Sequence, residues 1–162
     1  DADFHPHCAM HRMTWTPADA GRDHAPAPEV ERATPADAPA LAAMLDGELD
    51  RFTEQIPLVD ELAAAAAAGE ILVVRAGAEL AGLLYYEVTG QSSLLRHWVV
   101  APAHRDRRIG ARLLRHYVAA CPQVRRFVLW VISDNHNAID RYRHYGYQAD
   151  GLIDQVLLRR PS

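Results

Sequence analysis

The sequence predicts a mixed α/β chain (α+β mixed), with a central, mostly antiparallel mixed sheet and helices on both faces. Three observations lead there. Apolar runs of strand length alternate with stretches of helical period, in the order β-α-α-β-β-β-α-β-α-β. The 162 residues are enough for one hydrophobic core and too few for two. Hydrophobic residues make up 49% and charged residues 23%, a globular rather than a disordered balance.

Residues 1–28 stand outside that order. Proline, glycine and acidic residues break any period there, so the stretch reads as an N-terminal extension or arm, with residues 29–162 as one domain. Phe4, Met10, Met13 and Trp15 are apolar enough to dock on the chain's own sheet or across a twofold partner, so a homodimer is expected. His5, His7, Cys8 and His11 match no four-ligand spacing, and no metal is expected.

The regular elements follow from Glu29 onward. Residues 30–33 form a short strand, and Thr34 with Pro35 and Asp37 opens a helix over 38–49. An alanine-rich helix over 57–68 stops at Gly69. Residues 71–75 and 80–88 pair as a hairpin around Gly77, and 93–100 form the next strand. A helix over 109–120, a strand over 126–132, a helix over 135–145 stopped by Gly146, and a strand over 151–158 complete the chain. The two β-α units of this second half are expected to be parallel and right-handed.

Charge is distributed unevenly. All 17 basic residues are arginine; residues 1–90 carry five of them against 16 acids, and residues 91–162 carry twelve against five. The second half can therefore face an anionic ligand. The net charge of −4 argues against general attraction to nucleic acid. No run approaches 18 consecutive apolar residues, so no membrane span is expected. The start is acidic without an apolar signal core, and Cys8 and Cys121 have no CxxC neighbour. Free thiols in a reducing compartment, the cytoplasm, are the expectation.

The stretch 99–114 carries the chemistry. A strand ends at Val99-Val100, a loop rich in arginine follows (Arg105, Asp106, Arg107, Arg108), and a helix opens with Ile109, Gly110 and Ala111. Amides at a helix start bind anions, the arginines add fixed positive charge, and a glycine lets a phosphate approach the backbone. There is no GxxxxGK and no GxGxxG, so neither a Walker loop nor a dinucleotide fingerprint is present.

Val100, Pro102, Arg105, Gly110, Leu113 and Leu114 match the pattern V-x-P-x-x-R-G-x-G-x-G/A-x-x-L-L, and Asn135, Ala138, Tyr142, Gly146 and Tyr147 match N-x-x-A-x-x-x-Y-x-x-x-G-F/Y. Together they resemble the acyl-CoA signatures of the GNAT superfamily of N-acetyltransferases, over residues 29–159. The resemblance implies acetyl-CoA as acyl donor, its pyrophosphate wrapped by the loop amides. Asn135 would bond the pantetheine arm, and Tyr142 would be the general acid at the leaving sulfur. A backbone N–H near Val99 or Val100 would polarise the thioester. Asp106 and Arg108 depart from the family, which usually has glycines there. The family's catalytic glutamates are also replaced, by Leu94 and Trp130.

The acceptor must lose a proton before it attacks, to His97, Asp134, His136 or ordered water; the direction of His97 depends on a bulge in its strand. The acid-rich bend between the first two helices, with Asp50 and Glu54, can attract a cationic amine. The expected reaction is acetyl transfer to a primary amine of a small molecule, by direct attack in a ternary complex. Acetylation of a protein N-terminus or lysine, and a noncatalytic acyl-CoA-binding regulator, are the alternatives.

Overall fold

The computed structural model of the chain describes residues 4–17, 27–49 and 56–159, without the side chain of residue 106. In chain order the elements are β1 (Phe4–Trp15), β2 (Val30–Arg32), α1 (Ala38–Glu48), α2 (Val59–Ala67), β3 (Ile71–Ala76), β4 (Glu79–Thr89) and β5 (Ser92–Val100). Then follow α3 (Ile109–Ala120), β6 (Arg126–Ile132), α4 (His136–His144) and β7 (Gln148–Arg159). The seven strands make one sheet in the order β2-β3-β4-β5-β6-β1-β7. All its ladders are antiparallel except the parallel pair β5 and β6.

Burial follows from position in the sheet. The run Ile71-Leu72-Val73-Val74 is buried throughout, as a strand covered on both faces requires. Two apolar clusters lie on the two faces. On one side α1 and α2 pack Leu41, Leu45 and Leu62 against Ile71, Val73, Leu83, Tyr85 and Val99. On the other, α3 and α4 pack Leu113, Tyr117 and Ala138 against Leu72, Leu84, Leu95, Phe127 and Leu129. Tyr117 is fully buried, stands edge-on to Phe127 at 5.2 Å and bonds the hydroxyl of Ser93. Ser93 also donates to the Glu87 carbonyl at 2.8 Å, so this polar pair inside the core is satisfied.

The N-terminal stretch differs from the expectation of a docked arm. Phe4–Trp15 is an inner strand, antiparallel to β6 along Met10–Trp15 and to β7 along Phe4–Thr14. It separates β6 from β7, which run in the same direction without touching each other's ladder. The register slips between Pro6 and Cys8, where a residue without an N–H interrupts the pairing. Beyond Met10, towards Phe4, β1 pairs with β7 alone, and β7 forms the sheet edge with Leu152, Ile153 and Leu157 exposed.

One polar node fixes the entry to α1. Asp37 accepts the backbone N–H of Thr34 at 2.8 Å, and Arg75 of β3 donates to both its oxygens at 2.9 and 2.8 Å. The Arg75 guanidinium holds the Asp37 carboxyl down at a pKa of about 2, from an ordinary 3.8. A depressed carboxyl stabilises the fold above its ordinary pKa and loses that contribution as pH falls through its folded value. Asp37→Asn should therefore cost about 1–2 kcal/mol at pH 7. In urea melts the gap to the parent protein should close between pH 4 and pH 2; a gap independent of pH would contradict the role of the charge.

Candidate active site

The site begins where two strands part. β5 and β6 pair only through Ser92–Leu94 and Arg126–Val128, yet β5 runs on to Val100 and β6 to Ile132. Beyond Leu94, the edge of β5 that faces β6 carries no ladder, while its other edge stays paired with β4 as far as Val100. α3 follows β5 and α4 follows β6, so both helix starts lie at the carboxyl ends of these parallel strands. That is where open sheets hold ligands.

A bulge decides which side chains face each side of this gap. Tyr85 pairs with His97 and Tyr86 with Leu95, leaving Arg96 as the extra residue. Ser93 and Leu95 face α3; past the bulge the phase flips, so Trp98 and Val100 face the α3–α4 side while Val99 joins the α1–α2 cluster. His97 is 7% exposed and its ring lies 6.1 Å from that of Tyr85, so it stands on the α1–α2 side. Arg96 lies over the Tyr85 ring and donates to Glu87 at 2.9 Å.

The arginine loop forms a 3-10 turn, Pro102–Arg107, followed by Arg108 in the left-handed region at φ 56°, ψ 25°. Only Arg108 does so among the non-glycine described residues. This turn redirects the chain into α3, where Arg112 N–H bonds the Arg108 carbonyl at 3.2 Å. The amides of Ile109, Gly110 and Ala111 then form the first turn, without acceptors in their own helix. Ile109 sends its side chain into the core. Arg105 is turned to the α1 side, where Glu48 holds it at 2.5 Å. Arg107 and Arg108 are exposed.

A Cβ at Gly110 would stand 3.6 Å from both Trp98 and Val100, at ordinary contact distance, so this position faces the space between α3 and β5. In that space lies Trp98, whose ring stacks on Tyr142 at 5.7 Å and 25° and meets Tyr145 at 5.4 Å. Its indole Nε1 is buried and has no hydrogen-bond partner among the described residues. Tyr142 also packs edge-on to the fully buried Tyr147, whose hydroxyl is pushed well above the usual tyrosine pKa by burial.

The structure thus brings Tyr142, Val99, Val100 and the Arg108–Ala111 turn to one gap, with His97 on its far face. Asn135 is the N-cap of α4: its Oδ1 accepts the Ala138 N–H at 3.2 Å, so a contact to a ligand would use its amide nitrogen. Asp50, Glu54 and the Asp106 side chain lie outside the described residues. Trp98 was not singled out in the sequence, and Glu48 reads there only as part of the acid-rich bend with Asp46, Asp50 and Glu54. The available signal for Trp98 was an aromatic two residues before Val100, readable only with the bulge in place. Among the described residues no three His, Cys, Asp or Glu gather to hold a metal, and no helix is long and apolar enough to cross a membrane.

An arginine in the left-handed region costs about 1–2 kcal/mol, and glycine returns up to about 1 kcal/mol of that through its freer unfolded state. Arg108→Gly should accordingly raise stability by about 0.5–1 kcal/mol in urea titration. A loss of stability would contradict the strained turn.

The acetyltransferase (GNAT) family model matches residues 22–147. Among solved structures, a Novosphingobium aromaticivorans protein assigned to the GNAT family superposes with a TM-score of 0.75 at 18% identity, over 98% of this chain and 69% of that one. Rv2747 from Mycobacterium tuberculosis, in complex with CoA and NLQ, gives 0.59 at 18%, over 71% and 70%. A GCN5-related N-acetyltransferase from Sphaerobacter thermophilus gives 0.68 at 17%, over 95% of this chain and 51% of that chain. This chain therefore spans about half the length of some structures it resembles. Among curated proteins none matches. With the parted strands, the tight turn into α3 and a family match across most of its length, the chain belongs to the GNAT family of acetyltransferases.

Proposed function

We propose that the protein transfers the acetyl group of acetyl-CoA to a primary amine, of a small molecule, by direct attack within a ternary complex. The observation that carries this reading is the two-sided gap. An anion-binding helix start and Tyr142 lie on its α3–α4 side, and His97 lies on its α1–α2 side.

The residues present fit an acyl-CoA. The turn amides of Arg108–Ala111, with Arg107 and Arg108 nearby, suit a pyrophosphate. The unladdered edge of β5 around Val99 and Val100 suits the extended pantetheine arm, and the amide nitrogen of Asn135 its carbonyls. The buried Trp98 N–H is a donor awaiting an acceptor, since a buried N–H left unmade is costly. The thioester supplies an activated acetyl group.

His97, or a water beside it, takes the proton from the ammonium form of the acceptor. The neutral amine would form the C–N bond as the C–S bond breaks; the Tyr142 hydroxyl would give its proton to the departing sulfur, and the proton lost by the acylated nitrogen would restore the Tyr142 hydroxyl. The acid-rich bend with Asp50 and Glu54 would favour a cationic acceptor.

Tyr142→Phe keeps the ring on Trp98 and removes the proton donor. It should lower kcat roughly 10- to 100-fold with nearly unchanged acetyl-CoA affinity, as for an interaction made mainly in the transition state. Thiol release across an amine panel, beside a thermal melt, measures this. Unchanged kcat in a folded variant would remove Tyr142 from the mechanism. Tight acetyl-CoA binding without thiol release from any amine would favour a noncatalytic acyl-CoA-binding protein.

A further inference from the structure

The two halves of the sheet are covered differently on the α1–α2 side. The apolar cluster under α1 and α2 draws on β3, β4 and β5 and on no residue of β6, β1 or β7. On β6 the residues Phe127, Leu129 and Val131 are buried towards α3 and α4. Strand alternation therefore turns Val128, Trp130 and Ile132 to the α1–α2 side, where they are half-buried. Trp130 stands at the opening of the gap. Leu94 and Val128 form the last pair of the β5–β6 ladder and face the same side. Counted on from that pair, Trp130 lies across the gap from Arg96, which the bulge keeps on one side with His97. One lip of the gap is thus polar, and the other is an indole beside the apolar vertex of Leu94 and Val128. The charges on this face are matched within the protein. Arg96 donates to Glu87 at 2.9 Å, Arg12 to Asp150 at 2.6 Å, and Arg126 reaches the same carboxylate at 3.5 Å. Asp154 lies beside Met10 on β7, two strands away from β6.

We infer that Trp130 selects the acceptor: with Leu94 and Val128 it holds an aromatic group carried by the primary amine. The inference deepens the acetyl-transfer reading above and rests on it. An amine that reaches the thioester from the His97 side crosses the lip formed by Trp130, so the skeleton behind its nitrogen lies against the indole. A flat ring gains most there, by stacking and by the apolar area it covers. A diamine brings a second ammonium to a face whose nearby carboxylates already serve arginines, and that ammonium gives up hydration without a counter-ion of its own. The competing occupant is that second ammonium held over the indole face. The two occupants call for opposite orders of preference between an arylalkylamine and a diamine of similar reach.

Thiol release from acetyl-CoA, with 2-phenylethylamine and with 1,4-diaminobutane as acceptors, tests the assignment. The parent protein should use 2-phenylethylamine with a kcat/KM about tenfold higher, the share of one aromatic contact with its buried area. Trp130→Ala should raise KM for 2-phenylethylamine about tenfold with kcat nearly unchanged, as for binding shared by ground and transition states. Trp130→Phe should restore most of that KM. Trp130→Glu should lower kcat/KM for 2-phenylethylamine and raise it severalfold for 1,4-diaminobutane, a gain that misfolding cannot mimic. Equal use of the two amines by the parent, a preference for the diamine, or a preference that survives Trp130→Glu would overturn the role of Trp130 while acetyl transfer stands. No thiol release with either amine or with any other primary amine would overturn both.

Discussion

A single extra residue in β5, Arg96, determines the chemistry available in this molecule. Because strand side chains alternate with a period of two, one bulge moves every later residue to the opposite face. It turns Trp98 and Val100 towards α3 and α4, and His97 and Val99 towards α1 and α2. Without it the buried histidine would lie under α3, and the indole would stand among the residues that cover the other face. The bulge also strengthens local twist, which helps β5 leave β6 after Leu94 while it remains paired with β4.

The parting of the strands creates a need for support that the rest of the fold meets. Two strand edges without a ladder would collapse on one another or draw in water. Here the aromatic stack of Trp98, Tyr142 and Tyr145 spans the gap from β5 to α4. Each such pair contributes about 0.5–1.5 kcal/mol beyond simple burial. Below the stack, Tyr147 and Phe127 meet Trp15 of β1, so the inserted strand supports the floor of the site. On the far side, Glu48 ties the arginine loop to α1. The loop that would meet the donor and the helix that would flank the acceptor are thus joined by one ion pair.

Much of this was legible in the chain itself. From residue 30 onward the change between periods of two and 3.6 marks ten elements, and their order is the observed one. The capping residues at Thr34 and Asp37 and the stop at Gly146 fall where backbone chemistry requires them. β1 was not legible as a strand, because Pro6 and three histidines blur its alternation and its burial comes from β6 and β7, far along the chain, as in the pair Trp15 and Phe127. The motif residues Tyr142 and Gly110 could be located, but the direction of Gly110 could not, since it depends on how α3 sits over Trp98. The strain at Arg108 was visible only as a departure from a glycine; the left-handed backbone explains why a glycine is usual there.

The central claim is that an acyl-CoA enters the gap between β5 and β6 and meets the buried Trp98 N–H there. Titration of acetyl-CoA into isotopically labelled protein, followed through the three tryptophan indole resonances, tests it most directly. The Trp98 indole N–H should shift to lower field at saturation, as a donor does on gaining an acceptor, together with the backbone amides of Val99, Val100 and Arg108–Ala111. Saturable binding that leaves the Trp98 indole and these amides unmoved would place the ligand elsewhere and contradict the account.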